Sequence, residues 1–386
     1  MPLPPLVEPV DALDADERVR TARHSALSGF GEVAQRRLAA AHVAVVGAGG
    51  LGSPTVLALA AAGIGALTVI DADGVEASNL QRQVMHRVAD VGRPKVDSAV
   101  RVAADLSPRT VVHAIRARLT RENARDLLSG AHVVVDGTDT FETRDAVAAA
   151  CEDLGVPLVW GVVQEFHAQA TVFWSSPPAG TAPVRLSDLY PPETVGDVPT
   201  CEQVGVLGPL CLQVGAILAT ETVKLLTGVG EPLLGRVLVI DALRGRTDEV
   251  LLQGAAAPTT AETATRGPVP EPTAVPTHPL PTHPDPIAHL DLDAALAAQA
   301  GGATLLDVRE PHETAAGVLA GVTQVPLAAL LADPALAGPG PVVVVCKVGV
   351  RAERAARALR AAGIEASVLA GGMDAWDAAP RVTVDA

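Results

Sequence analysis

The chain has 386 residues and a formal net charge of −15 at pH 7, which excludes a protein built to coat nucleic acid or an anionic membrane, because such a surface repels phosphate. Hydrophobic residues make up 48% of the chain, which excludes wholesale disorder, and aromatic residues make up 2%, which leaves little for stacking bases. The four cysteines are too few and too scattered for a disulfide scaffold, and they form no C-x-x-C pair, which excludes a zinc site made from adjacent pairs.

The N-terminal part of the sequence carries no targeting pattern. Residues 1–20 are proline-rich and then acidic, unlike the basic and then apolar segments of a secretory signal. The uncharged stretch 39–70 is interrupted by clustered glycines, which favours strand–turn–helix–strand over a membrane span. We therefore expect a cytoplasmic protein with no membrane segment and with reduced thiols.

Short apolar runs alternate with helical segments between residues 43 and 241. This alternation predicts an α/β fold, with a Rossmann-like, mostly parallel sheet covered by helices. The predicted strands are 43–46, 67–70, 111–115, 133–135, 158–163, 169–174 and 236–241, and the predicted helices are 51–62, 94–105, 140–154 and about 215–226.

Residues 255–286 are dominated by Pro, Thr and Ala, and this composition predicts an extended linker. A shorter α/β segment follows it, and the predicted organisation is therefore an N-terminal domain over 1–254, a linker over 255–286 and a C-terminal domain over 287–386. The strands predicted in the last domain are 304–308, 342–345 and 367–369, and the helix is 351–362.

A glycine-rich turn joins the first predicted strand to the first predicted helix. A G-x-G-x-x-G turn in this position lets the backbone approach phosphates, and the helix N-terminus offers N–H donors to them. Asp71 ends the next strand, where an acidic residue can bind a ribose hydroxyl. Taken alone, these residues predict a generic nucleotide site, which a dinucleotide-dependent oxidoreductase would share. The glycines are Gly47, Gly49, Gly50 and Gly52.

The polar segment that follows favours a triphosphate. Asn79, Arg82 and Gln83 lie soon after Asp71, and Lys95 opens the next helix. Two cations beside a glycine loop suit a triphosphate under nucleophilic attack better than a pyrophosphate that is held passively. The alternative is that both cations are solvated surface charges.

A third polar site follows a strand of valines. Asp139 lies just beyond the carboxyl end of that strand, which faces the ligand crevice in a parallel sheet. A carboxylate there suits Mg²⁺ beside phosphates. The alternative is that Asp139 or Thr138 caps the helix that follows.

Together these segments resemble the ThiF/MoeB family of ubiquitin-activating-type adenylyltransferases over about residues 20–252. The matching motifs are the G-x-G-G-L-G loop, the D-x-D-x-V-x-x-S-N-L-x-R-Q run from Asp71, G-R-P-K and T-D. The resemblance implies that ATP·Mg²⁺ and the C-terminal Gly-Gly tail of a ubiquitin-like sulfur carrier protein bind, giving an acyl-adenylate and pyrophosphate. It also implies a homodimer in which Arg23, from an early R-x-x-R segment, reaches the ATP of the other subunit.

The same resemblance implies a role for each polar residue: Asp71 holds the ribose, Asp139 holds Mg²⁺, and Asn79, Arg82, Gln83 and Lys95 line the phosphates. Thr140 stands where the family has Asn, which is a mild departure. Many members bind zinc with two C-x-x-C pairs, but no cysteine lies near 185–190 or 253–258. We therefore expect no zinc.

A cysteine follows the four-valine strand of the C-terminal segment. Cys346 lies between this strand and a helix, so its thiol meets backbone N–H groups and a helix N-terminus, both of which stabilise a thiolate. Lys347 and Arg351 add positive potential. The alternative is an inert buried cysteine at a strand end.

This segment resembles the rhodanese sulfurtransferase domain over about residues 287–379. The matching motifs are L-D-V-R-E-P-H-E from Leu306, the C-x-x-G-x-R loop and the Gly-Gly pair 371–372. The resemblance implies a persulfide on Cys346, in a loop that includes Lys347, Gly349 and Arg351. The usual G-H-I-x-G-A reads A-G-V-L-A-G here, without its histidine.

The two resemblances together imply a two-step reaction: the carrier is adenylylated, and the Cys346 persulfide then converts it to a thiocarboxylate. Thiosulfate or the persulfide of a cysteine desulfurase would supply the sulfur. Cys201 is a candidate resolving thiol or a spectator, and Cys151 and Cys211 are expected in the core. The alternatives left open are a C-terminal domain that only docks partners, and a dinucleotide-dependent oxidoreductase.

Overall fold

The structure is a computed structural model that describes residues 3–191, 205–254, 287–315, 317–319 and 321–378. The chain divides into two compact units, Met1–Thr259 and Thr260–Ala386. Each unit is built around a wholly or mostly parallel sheet with helices, so the predicted α/β class is confirmed. The predicted linker, 255–286, lies outside the described residues.

The first unit contains an eight-stranded sheet in the order β3-β2-β1-β4-β5-β6-β7-β8. The pairs from β3 to β5 are parallel, and the pairs from β5 to β8 are antiparallel. The strands are β1 (His42–Val46), β2 (Ala66–Ile70), β3 (Val111–Ile115), β4 (Val133–Asp136), β5 (Leu158–Gln164), β6 (His167–Phe173), β7 (Arg236–Asp241) and β8 (Arg246–Leu251). The helices are α1 (Ala15–Arg20), α2 (Ala22–Ser25), α3 (Gly31–Ala40), α4 (Gly52–Ala62), α5 (Lys95–Leu106), α6 (Ala124–Leu128), α7 (Phe141–Leu154), α8 (Leu186–Leu189) and α9 (Gly208–Thr227).

The central strands are continuous apolar runs because helices cover both faces of the sheet. All of β4 and all but the first residue of β1 are buried. Helix α9 packs on α4, and Gly215 permits the close crossing, since a Cβ there would collide with the ring of Pro54. Among the described residues, α9 is the one helix long and apolar enough to cross a membrane, and 61% of its most apolar window is buried, as in a core helix.

The strand order places a nucleotide-sized crevice at one edge of this sheet. β1 pairs with β2 on one side and β4 on the other, so the winding direction of the chain reverses between β1 and β4. In open α/β sheets, ligands bind outside the carboxyl ends of the strands at such a reversal. The glycine loop after β1, Asp71 after β2 and Asp139 after β4 all lie at this edge.

The second unit contains a parallel five-stranded sheet in the order β11-β10-β12-β13-β9. The strand of four valines, β12, lies at the centre of this sheet with all four residues buried, and Cys346 follows it directly. The strands are β9 (His289–Leu290), β10 (Thr304–Asp307), β11 (Thr323–Gln324), β12 (Val342–Val345) and β13 (Ala366–Leu369). The helices are α10 (Leu292–Ala300), α11 (Pro311–Thr314), α12 (Leu327–Ala332), α13 (Val350–Ala361) and α14 (Gly372–Ala378).

Three histidines meet on β1, on β3 and just before β4. The ring of His42 bonds the Thr68 hydroxyl at 2.8 Å and the Gly130 carbonyl at 3.0 Å, and its backbone N–H donates to His132 Nδ1 at 3.0 Å. The His113 ring lies 6.0 Å from the His42 ring. Burial, and then the nearby His113 and His132, lower the pKa of His42 below its ordinary value of 6.5, although the Gly130 carbonyl opposes this.

The lowered pKa of His42 predicts acid sensitivity in the first unit. As the pH falls below about 6.5, His42 takes up a proton in the unfolded chain before it does so in the folded chain. Its contribution to the free energy of unfolding is therefore fully present above that pH, and it is lost as the pH falls through the folded-state pKa. Urea unfolding between pH 7.5 and 5 should therefore show a shallower pH dependence in His42→Asn than in the wild type. His167→Asn, at an exposed histidine, is the control, and equal slopes in all three proteins would contradict the prediction.

Candidate active site

The glycine loop holds the end of β1 against the start of α4. Gly47 has a φ of +86°, and its N–H donates to the Ile70 carbonyl at 2.8 Å. A Cβ at Gly52 would collide with the Gly47 carbonyl oxygen. These two positions therefore require glycine, and the tight turn brings the N-terminus of α4 to the carboxyl edge of the sheet.

A cavity of about 510 Å³ opens beside this loop, which is a volume suited to a nucleotide-sized ligand. It joins the carboxyl ends of β1, β2 and β4 to the polar segment after Asp71. Gly52 and Arg23 are not among the lining residues. The predicted site residues that line it are Gly47, Gly49, Gly50, Asp71, Asn79, Arg82, Gln83, Lys95 and Asp139.

Asp71 has a structural role that the sequence did not reveal. One carboxylate oxygen accepts the Ala48 N–H at 2.7 Å, and the other accepts the Asp73 N–H at 2.8 Å. Asp71 therefore ties the glycine loop to the turn after β2. Each oxygen keeps a further acceptor site, which leaves the carboxylate able to bind a hydroxyl in the cavity.

Both predicted cations, Arg82 and Lys95, line the cavity. Lys95 Nζ is 3.0 Å from a carboxylate oxygen of Asp73, and Arg82 Nη1 donates to the Ser78 carbonyl at 3.1 Å. The Lys95 side chain is 10% exposed and the Asp73 side chain 62%, so solvent screens this ion pair mainly at the carboxylate, and a phosphate in the cavity would compete with Asp73 for the lysine.

Gln83 shows that the cavity fits a polar ligand. Its side chain is buried and lines the cavity, and its Oε1 has no hydrogen-bond partner among the described residues. A buried polar atom left unpaired costs about 1–3 kcal/mol, which a ligand can recover. The amide can present either its oxygen to a hydroxyl or its NH₂ to a phosphate, because rotation exchanges the two ends.

Asp139 lines the cavity from a turn that the side chains of Asp136 and Arg144 stabilise by hydrogen bonds. Buried Asp136 accepts the Thr138 backbone N–H at 2.9 Å and its hydroxyl at 2.7 Å, and Arg144 donates to the Thr138 carbonyl at 3.1 Å. Burial raises the pKa of Asp136, and Arg144 partly offsets this effect. The exposed Asp139 carboxylate lines the same cavity as the glycine loop and has the chemistry that Mg²⁺ prefers.

The cysteines of the first unit differ in their surroundings. Cys151 is buried in the core on α7, and burial raises the pKa of its thiol. Cys211 is also buried, as expected, but it lines the cavity beside Gly50, which the sequence did not predict. Cys201 lies outside the described residues, and its role stays a prediction.

The two early arginines are not equivalent. Arg20 donates to the Glu17 carboxylate and to the Ala61 carbonyl, so it holds α1 against the end of α4. Arg23 is exposed on α2. It does not line the cavity of its own chain, and its action across a dimer stays a prediction.

The Cys346 loop of the second unit is fastened through its backbone carbonyls. Cys346 is 1% exposed, and the Gly349 N–H donates to its Sγ at 3.1 Å. The carbonyls of Cys346 and Lys347 accept the N–H groups of Met373 and Asp374, at 2.9 and 3.0 Å. Because the C=O and N–H of a trans peptide point in opposite directions, the amides that follow these carbonyls point away from α14.

The charges beside this loop are also arranged differently from the expectation. Lys347 is exposed, as the predicted positive potential requires. Arg351, however, forms a two-pronged ion pair with Glu313, with N–O distances of 2.6 and 2.7 Å. Its charge is therefore offset by a carboxylate to which the sequence motifs give no role.

Family models cover both units. The ThiF family model matches residues 21–260, and the rhodanese-like domain model matches residues 291–379. No cluster of three His, Cys, Asp or Glu suited to a metal ion occurs within the described ranges, and the expectation of no zinc stays a prediction.

Curated relatives resemble the whole chain or its first part. "Probable adenylyltransferase/sulfurtransferase MoeZ" of Mycobacterium tuberculosis is 40% identical over 97% of this chain and 96% of its own length. "SAMP-activating enzyme E1" of Haloferax volcanii is 44% identical over 60% of this chain and 84% of its own. The crystal structure of E. coli MccB with ATP is 20% identical, covers 63% of this chain and 73% of its own, and has a TM-score of 0.53, which supports the fold alone. The chain thus belongs to the ThiF family and carries a rhodanese-like domain after its ThiF portion.

Proposed function

We propose that this protein adenylylates the C-terminal Gly-Gly carboxylate of a ubiquitin-like sulfur carrier protein and then converts that carboxylate to a thiocarboxylate. It is an adenylyltransferase and sulfurtransferase that uses ATP. The observation that carries the proposal is that one chain contains both the cavity beside the glycine loop and the Cys346 loop, in which a backbone N–H donates to the sulfur. The chain also matches nearly the full length of a relative that is named for both activities.

In the first step, the carrier carboxylate attacks the α-phosphorus of ATP, and pyrophosphate leaves. Asp71 binds the ribose, and the glycine loop binds the phosphates through backbone N–H groups. Arg82 and Lys95 stabilise the negative charge that develops on the phosphates, and Asn79 and Gln83 donate hydrogen bonds beside them. Asp139 holds Mg²⁺, which neutralises phosphate charge when bound.

In the second step, the terminal sulfur of the Cys346 persulfide attacks the acyl carbon, and AMP leaves. The product is an acyl-disulfide to Cys346. A second thiol then attacks Cys346 Sγ, which forms a disulfide and releases the carrier as its thiocarboxylate. Cys201 is the candidate for this thiol within the chain, and a small-molecule thiol is its alternative.

The proposal also includes the sulfur donor, the cellular compartment and the oligomeric state of the enzyme. Thiosulfate or the persulfide of a cysteine desulfurase donates the sulfur to Cys346. The enzyme acts in the cytoplasm as a homodimer, in which Arg23 contacts the nucleotide of the other subunit. Support for the dimer comes from the exposure of Arg23, which does not line the cavity of its own chain.

Exchange of labelled pyrophosphate into ATP tests the first step. We expect exchange that depends on a carrier ending in Gly-Gly and disappears when that tail is removed. Nicotinamide-dependent turnover without exchange would instead establish the oxidoreductase alternative.

A further inference from the structure

The ion pair between Glu313 and Arg351 joins two segments of the second unit. Glu313 lies on α11, after β10, and Arg351 lies in the first turn of α13, directly after the Cys346 loop. Glu313 Oε2 accepts from Arg351 Nη1 at 2.6 Å and also from the Glu310 backbone N–H at 3.0 Å, while Oε1 accepts from Arg351 Nη2 at 2.7 Å. Both side chains are largely buried, with 21% and 23% exposed, so the pair is stronger than an exposed one.

The opposite side of the same loop is held by α14. The Met373 and Asp374 N–H groups bind the two loop carbonyls, and a Cβ at Gly372 would collide with both of those carbonyl oxygens. The loop is therefore fixed at its start by α14 and at its end by Glu313. Between these two points the Gly349 N–H reaches Cys346 Sγ.

We propose that Glu313 is a positioning residue for sulfur transfer: it fixes the end of the Cys346 loop through Arg351 and neutralises that guanidinium, so that backbone amides stabilise the sulfur anion. This inference rests on the proposed function, and it reassigns Arg351 from a source of positive potential to one half of a clamp. Other charged groups near the loop include Lys347, Glu353, Asp374 and the buried Asp307–Arg309 pair.

An ion pair without net charge is compatible with a sulfur that must leave Cys346 for an acyl carbon. A free guanidinium beside Cys346 would stabilise the resting thiolate or persulfide and lower its tendency to attack an acyl carbon. Amide donors stabilise the anion less, and they also remain in place when the loop sulfur is uncharged. The pair therefore gives a fixed loop without a strong local charge.

The pH dependence of Cys346 alkylation by iodoacetamide tests the inference in the full-length protein. The thiolate displaces iodide, and mass spectrometry of the Cys346 peptide separates this site from the other cysteines. Glu313→Gln frees the charge of Arg351, so the pH midpoint should fall by about half a unit or more. The rate above the midpoint should rise several-fold, since Cys346 is almost fully buried in the fixed loop.

Three further variants separate charge from geometry. Arg351→Lys keeps the charge but loses the two-pronged geometry, so the midpoint should stay and the limiting rate should rise. In Glu313→Gln/Arg351→Gln the midpoint should return to the wild-type value while the limiting rate stays high. Glu353→Gln removes one carboxylate from the first turn of the same helix without touching Arg351, and should change neither quantity by comparison.

An unchanged or raised midpoint in Glu313→Gln, or a limiting rate equal to that of the wild type, would overturn the inference. Alkylation needs neither ATP nor a carrier protein. Its failure would therefore leave the proposed function standing, and failure of carrier adenylation would leave the clamp standing.

Discussion

Replacing Cys346 by alanine is expected to abolish thiocarboxylate formation and to leave adenylylation of the carrier intact. The thiol is the only atom of the second unit to which the proposed mechanism attaches sulfur, and the nucleotide cavity lies wholly in the first unit. Mass spectrometry of the carrier, incubated with the enzyme, ATP and thiosulfate, measures the oxygen-to-sulfur mass gain. Labelled pyrophosphate exchange measures adenylylation in the same preparation.

The same variant decides between sulfur transfer and simple docking. A second domain that only binds partners does not need the sulfur atom, so thiocarboxylate would still form in Cys346→Ala. Survival of the product would therefore contradict the persulfide mechanism, while loss of pyrophosphate exchange together with the product would indicate a folding defect instead. Cys346→Ser, which keeps a small polar group below the Gly349 N–H, is the matched control for the fold of the loop.

Mass spectrometry of the carrier also tests the proposed role of Cys201, which lies outside the described residues. If Cys201 cleaves the acyl-disulfide, Cys201→Ala should accumulate carrier joined to Cys346, and a small thiol should release it as thiocarboxylate. Without accumulation, an external thiol completes the reaction.

Strand positions could be predicted from the sequence because the central strands are short, continuous apolar runs. The bounds of β3, β7 and β12 agree with the predicted strands. The strand β8 (Arg246–Leu251) was missed because all its residues are exposed, so it has no apolar pattern. Its pairing with β7 defines it, and that pairing is a tertiary property.

Helix α9 shows how packing can override local preferences. The sequence predicts a start at about residue 215, whereas the helix begins at Gly208. Gly208, Pro209 and Gly215 look like helix breakers along the sequence. In the structure, proline occupies the first turn, where its missing N–H costs nothing, and Gly215 lies at the crossing with α4.

The site residues also divide into those that the sequence predicts and those that depend on tertiary contacts. The residues of the glycine loop and of the S-N-L-x-R-Q run were found because a motif places them together in the sequence. The ion-pair partners of two other motif residues were not found, since Lys95 pairs with Asp73 and Arg351 pairs with Glu313 across separate elements. Such pairs depend on which strand ends meet, and one sequence contains no signal for that.

Replacing Arg82 by alanine is expected to lower carrier-dependent pyrophosphate exchange by about 10²–10³-fold, mainly through kcat. Its guanidinium lines the cavity and makes one hydrogen bond to the Ser78 carbonyl, so the folded structure depends little on it. A cation beside phosphates is most important when negative charge moves toward the leaving pyrophosphate. Arg82→Lys should recover only part of the rate, because it restores the charge without the planar fork.

Arg87→Ala is the matched control for this prediction. Arg87 is in the same segment and pairs with Asp105, but it is 59% exposed and does not line the cavity. An exposed ion pair contributes at most about 1 kcal/mol to stability, so this variant should exchange pyrophosphate at the wild-type rate. If Arg82→Ala lost no more activity than Arg87→Ala, Arg82 would be a surface charge, and the preference for a triphosphate over a passively held pyrophosphate would lose the support of this cation. A selective loss in Arg82→Ala would instead place the charge of this residue at the reacting phosphates.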